Sequence, residues 1–169
     1  MAKVPSSKPQ ASRELIEKII EANGLSLKKT PIILVGVRGY YLDSMGEIGK
    51  NDRGDYDDAF FWITPNSFVA FNGNTDPSRY KKGKGKGSSK GMASLNEGVW
   101  QYKTGIHGGS VVHPAFRQFA DVTVTRDGID GDYEDTGDFG INIHMGGASG
   151  TSSLGCQTVP RSQWPAFKE

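Results

Sequence analysis

Apolar residues at positions 15, 16, 19, 20 and 22 recur at the spacing of one helix face, behind Ser12 and ahead of Gly24. Ser is a good cap and Gly a good stop, so the pattern predicts a helix over 13–22. The period then changes. Residues 32–37 (Ile-Ile-Leu-Val-Gly-Val) form the short apolar run of a buried strand. Residues 59–63 and 67–72 flank Thr64-Pro65-Asn66 and read as two strands joined by a hairpin turn. Residues 98–104 and 121–125 alternate apolar with polar, as half-exposed strands do, and 139–144 is a further strand that ends at His144. A short helix is expected near Arg161, taking in Trp164 and Phe167. No internal repeat is visible. These elements predict a mainly-β domain, a curved sheet or sandwich with an N-terminal helix and a short C-terminal helix. Residues 1–11, rich in Lys, Pro and Ser, read as a flexible lead to one domain over 12–169.

Composition narrows the function more than the fold. A formal net charge of +1 gives no electrostatic argument for a nucleic-acid partner. No stretch approaches the ~18 apolar residues of a membrane span, so membrane insertion is not expected. The first ten residues lack the apolar core of a secretory signal. A single cysteine rules out an intrachain disulfide, which leaves that thiol either inert and buried or reactive. Two loops stand out by composition. Residues 81–91 are basic and Gly-rich but fail the phosphate-loop pattern. Residues 127–138 are acidic and Gly-rich but lack the glycine of a calcium loop at its required place. Both read as solvated loops.

The chemistry concentrates in residues 143–159, Ile-His-Met-Gly-Gly-Ala-Ser-Gly-Thr-Ser-Ser-Leu-Gly-Cys-Gln-Thr-Val. A histidine ends an apolar strand, a Gly/Ser/Thr loop follows, and a Ser-x-Gly-Cys turn comes twelve residues later. Thiol catalysis needs a base to take the thiol proton and donors for the oxyanion that then forms. A loop that reverses the chain can return Cys156 to His144. Gly155 frees the backbone before the cysteine, so that amides of residues 154–156 can converge on one oxygen. The polar, glycine-flanked setting of Cys156 favours exposure and reactivity over a buried structural thiol.

His-x-Gly followed by Ser-x-Gly-Cys resembles the signature of the L,D-transpeptidase catalytic domain, a β-rich fold acting on peptidoglycan stem peptides through a cysteine acyl-enzyme. The resemblance implies Cys156 as nucleophile, His144 as base and Ser153 as the small polar residue of the cysteine turn. Gly146 and Gly155 would shape the pocket. Gly146, Gly147 and Leu154, with Arg38, are the candidate substrate-binding residues, Arg38 meeting an acidic stem peptide or pairing with a nearby Asp. Residues 36–39, 56–58, 71–77 and 95–98 look like a phage and prophage branch of these proteins, taken for wall peptidases and lysins. The partner implied is bacterial peptidoglycan, reached from the cytoplasm after lysis-linked release or phage delivery.

The turn departs from the family pattern, with Leu154 where a His is usual and Thr158 where an Arg is usual. Those residues help position substrate, so hydrolysis is expected ahead of cross-linking, with a non-catalytic wall-binding or virion protein as a further alternative. A backbone carbonyl, Ser149, Asp57 or Asp58 is expected to orient the base. His107 and His113 are six residues apart through glycines, a poor match for a zinc pair. No metal and no cofactor are expected.

Overall fold

In a computed structural model of the chain, described over residues 1–84, 89–108 and 112–169, the predicted helix forms over Arg13–Ala22 (α1). Ser12 Oγ accepts from the Leu15 amide and so satisfies one of the helix's free N-terminal donors. Its apolar stripe buries Ile16 and Ile20.

Three sheets follow. Strands β1 (Ile33–Val37), β2 (Asp58–Thr64) and β3 (Ser67–Gly73) form an antiparallel sheet with β2 in the middle. Both faces of β2 are covered, which explains why residues 59–63 are apolar without a break. Ala59, Phe61 and Ile63 pack on one side with Ile16 and Ile20 of α1. Phe60 and Trp62 face the other side, toward Phe71, Ile143, Val159, Trp164 and Phe167. That second layer is a sheet ordered β10-β9-β6-β5, made of Gln157–Val159 (β10), Ile143–Met145 (β9), His113–Gln118 (β6) and Tyr102–His107 (β5). The C-terminal helix Trp164–Phe167 (α2) closes this layer, its Phe167 carbonyl accepting from Trp62 Nε1 at 3.0 Å. A third sheet, ordered β4-β7-β8, joins Ala93–Leu95 (β4), Val122–Arg126 (β7) and Tyr133–Gly137 (β8) around a separate core with Ile141. Over the described residues the architecture is therefore mainly β with two helices, as the periodicities predict.

Several elements depart from expectation. The strand placed at 98–104 runs over 102–107. Gly98 lies at φ +156, and Trp100 folds back to donate to the Asn96 carbonyl at 3.0 Å. The acidic segment 127–138, expected as a solvated loop, contains β8. Among the described residues this strand pairs only with β7, and an edge strand tolerates alternating charges on its open side. Strand β6 escapes the periodicity reading because it carries Pro114. It pairs with β9 only from Ala115 onward, so that side is an edge at Pro114, where a missing N–H costs least.

Residues 1–11, expected as a lead, run along the body. The Ala2 amide donates to the Ser149 carbonyl at 3.0 Å, and Tyr56 N donates to the Lys3 carbonyl at 2.9 Å. The basic run 81–91 lies partly outside the described residues. Among the described residues no helix is long and apolar enough to cross a membrane.

Candidate active site

Strand register gathers the site. Residues paired across a ladder share a face of the sheet, as do residues two apart along a strand. His144 pairs with Ala115, which pairs in turn with Gly105. His113 and His107 lie two residues along those same strands and pair with each other. All three histidines of the chain therefore fall on one face, and the space over Gly105 is taken by the stem of Arg117 on the same face. His107 stacks on His144 with ring centroids 4.2 Å apart and planes 17° from parallel. His113 sits 5.4 Å from His107 and 5.3 Å from His144. The six-residue spacing that suits no helical ligand pair is the spacing of a cross-strand pair in a hairpin.

Cys156 reaches this face from the other side. Strand β10 runs parallel to β9 with Thr158 opposite His144, and Cys156 lies two residues before Thr158. Its Sγ donates to the Gly140 carbonyl at 3.3 Å. A ring nitrogen of His107, one of His144 and Cys156 Sγ all lie within 4.8 Å of one another. The sequence pairs Cys156 with His144; the structure adds His107 and His113.

Of the groups expected to orient His144, a backbone carbonyl does so: Nδ1 lies 2.8 Å from the Met145 carbonyl. A carbonyl can only accept, so the proton sits on Nδ1 and the Nε2 lone pair is free. Asp57 and Asp58 are engaged elsewhere. Asp58, fully buried, accepts from the Gly39 and Thr75 amides and from Thr75 Oγ1, while Asp57 accepts from the Asp52 amide.

The turn that presents the thiol is held by Ser153. Its hydroxyl donates to the Cys156 carbonyl and accepts from the Gly155 amide at 3.0 Å. The Gly155 amide, expected among the oxyanion donors, is thus occupied. That of Leu154 has no partner among the described residues, while that of Cys156 lies against its own thiol. Gly155 must be a glycine for want of space, because a Cβ there would stand 2.8 Å from the Ala93 carbonyl oxygen. Gly146 is as tightly placed: its Cβ would stand 1.8 Å from the Tyr56 hydroxyl oxygen. Gly147 faces Ser152, and Leu154 is 72% exposed beside the thiol turn. Arg38 pairs with Asp76 at 3.0 Å and donates to the Thr75 and Leu95 carbonyls, so its described bonds are all internal. An open cleft of about 880 Å³ borders residues 149–154 together with Met1–Lys3 and Asp52–Asp55, but neither Cys156 nor a histidine lines it.

Burial sets the protonation states. It lowers His144 to about 4, with the neighbouring imidazoles of His107 and His113 adding to the effect and the Met145 carbonyl opposing it. It pushes the Cys156 thiol up, against nearby backbone amides. His107 is lowered too, by burial first and then by His113 and Arg117. The resting pair is therefore an uncharged thiol and an uncharged imidazole. The donor set of His107, His144 and Cys156 is also of the type that Zn²⁺ takes. Comparison of the chain with protein-family models, curated proteins and solved structures returns no match.

Proposed function

We propose that the protein is a cysteine-dependent hydrolase of peptidoglycan stem peptides, with Cys156 as nucleophile and His144 as general base. The observation that carries the reading is the close approach of Cys156 Sγ to a histidine whose Nδ1 is fixed on a backbone carbonyl. A base held in one tautomer by a third group is the arrangement nucleophilic catalysis requires. The resemblance of residues 143–159 to the L,D-transpeptidase catalytic domain supplies the substrate class and the finer fold expectation.

In this mechanism the thiol proton passes to His144 Nε2 as Sγ bonds to a peptide carbonyl carbon. The Leu154 amide receives the oxyanion. The imidazolium then returns its proton to the leaving amine as the C–N bond breaks, and a thioester remains. Water, deprotonated by His144, adds to the thioester and frees the thiol. Because both groups rest uncharged, proton transfer accompanies attack, and thiol reactivity rises with pH instead of levelling off near neutrality. An amine in place of water would give cross-linking. With Leu154 and Thr158 in place of the residues that usually position substrate near the thiol, hydrolysis is favoured over cross-linking.

The test is digestion of purified peptidoglycan by wild type and Cys156→Ala, read by mass spectrometry of released peptides. Cleavage should fall by on the order of 10⁴-fold or more in the variant. Equal cleavage by both would remove Cys156 as nucleophile, and loss of that activity to chelators would transfer the chemistry to a metal on the histidines.

A further inference from the structure

Two imidazoles and a thiol within 4.8 Å of one another can serve thiol catalysis or capture Zn²⁺, and the two uses exclude each other, since a metal-bound thiolate is not free to attack. We propose that Asn142 decides between them: its side-chain amide holds His107 in a tautomer closed to metals, and so keeps the constellation a thiol centre.

The argument follows a chain of directional hydrogen bonds. The Gln118 backbone amide donates to Asn142 Oδ1 at 3.0 Å. An amide nitrogen can only donate, so this contact fixes which end of the Asn142 side chain is oxygen. Nδ2 is then the end that meets His107 Nδ1, 3.1 Å away. Nδ2 can only donate in its turn, so Nδ1 of the neutral ring is the acceptor and the proton resides on Nε2. Both nitrogens of His107 are thereby closed to a cation, one facing an N–H and the other carrying a proton. Strand geometry makes the arrangement rigid: Asn142 is two residues before His144 on the same face, and Gln118 ends β6 beside it. Asn142 itself is only 6% exposed.

His144 has the opposite arrangement. Its Nδ1 proton goes to the Met145 carbonyl, the second-shell pattern found on metal-ligating histidines, and its Nε2 is open. With His107 closed, two of the three donors remain, His144 and Cys156. Protein zinc sites use at least three side-chain ligands.

This inference rests on the thiol reading for its functional meaning, but its test does not depend on catalysis. Ring ¹⁵N spectra of the wild type near neutral pH should place the proton of His107 on Nε2 and that of His144 on Nδ1. The variant Asn142→Asp replaces the donor with an oxygen. The carboxylate still accepts from the Gln118 amide and now also accepts a proton from His107 Nδ1, which frees Nε2. Co²⁺, followed by its thiolate charge-transfer absorption, and Zn²⁺, by competition, should then bind about ten- to a hundredfold tighter than to wild type. The absorption should vanish when Cys156→Ser is added.

A wild-type His107 with its proton on Nδ1 would overturn the proposal, and so would equal metal affinity in wild type and Asn142→Asp. Should that variant fail to fold, the wild-type spectra decide alone. Retained peptide cleavage by Cys156→Ala would remove the thiol reading yet leave the tautomers and metal affinities as measured, so the two failures are distinguishable.

Discussion

The two packed sheets of the molecule use the same element for opposite ends. In β1-β2-β3 both faces of the central strand are apolar over 59–63, one against α1 and the other against the second sheet, and Phe60, Phe61 and Ile63 are fully buried. In β10-β9-β6-β5 one face, with Phe116, Ile143 and Val159, joins that core. The other face carries Gly105, Ala115 and the His–Asn–Cys constellation. The second sheet is held from behind by this core, and its other face carries the three imidazoles, His144 buried and His107 and His113 half-buried. The core and the candidate site are thus divided between two layers that meet at Phe60, Phe71, Trp164 and Phe167.

The sharpest way to break this division is Phe61→Ala. The side chain is fully buried on the α1 side of β2, stacked on Phe68 at 5.8 Å, in a cluster that contains no histidine. Chemical denaturation should show a loss of about 3–5 kcal/mol. The rate at which Cys156 is alkylated in the folded protein should stay as in wild type. A changed rate at conditions where the variant is folded would mean that the first sheet tunes the site as well as supporting it.

How much of this division can be read from sequence depends on the kind of signal. The helix at 13–22 and the all-apolar run 59–63 are legible because burial imposes a period on consecutive residues. Cys156 and His144 are legible because a short motif joins them across one loop. His107 and His113 are not, since a hairpin register decides their meaning, and six residues read along the chain look like a poor ligand pair. The available signal was alternation: Gly105-x-His107 and His113-x-Ala115 place small residues and histidines in step on two adjacent strands. Asn142-x-His144 is the same signal on β9. Arg38 shows the converse, a plausible substrate residue whose described partners, Asp76, Thr75 and Leu95, lie within the fold.

A smaller effect separates the faces by pH. His144 has its folded pKa lowered to about 4, from an ordinary value of 6.5. As pH falls below 6.5 the unfolded chain takes up this proton before the folded one does. The stability it contributes is therefore complete above that pH and is lost as pH falls through 4, by about 3 kcal/mol in all. The difference in unfolding free energy between wild type and His144→Gln should grow or shrink by that amount across the window. Parallel curves would mean that the site face is wetter than its packing suggests, and the contrast between the sheets would weaken.

The smallest effect tests whether the site face is rigid in its own right. Ser153 is 2% exposed and ties both ends of the cysteine turn, donating to the Cys156 carbonyl and accepting from the Gly155 amide. Ser153→Ala removes both bonds and leaves a buried N–H and C=O without that partner, a cost of about 1–3 kcal/mol. Because this bond network positions the thiol, the proposed function predicts that the variant loses stem-peptide cleavage by a larger factor than its stability loss explains, measured well below its unfolding temperature. Phe61→Ala should show the reverse, a large loss of stability and little loss of folded-state activity. If Ser153→Ala instead lost stability alone, the turn would be held by its glycines and by the Ser78 contact to the Ser153 amide. The hydroxyl would then belong to the scaffold, and the division between the two sheets would run closer to the thiol than the hydrogen bonds imply.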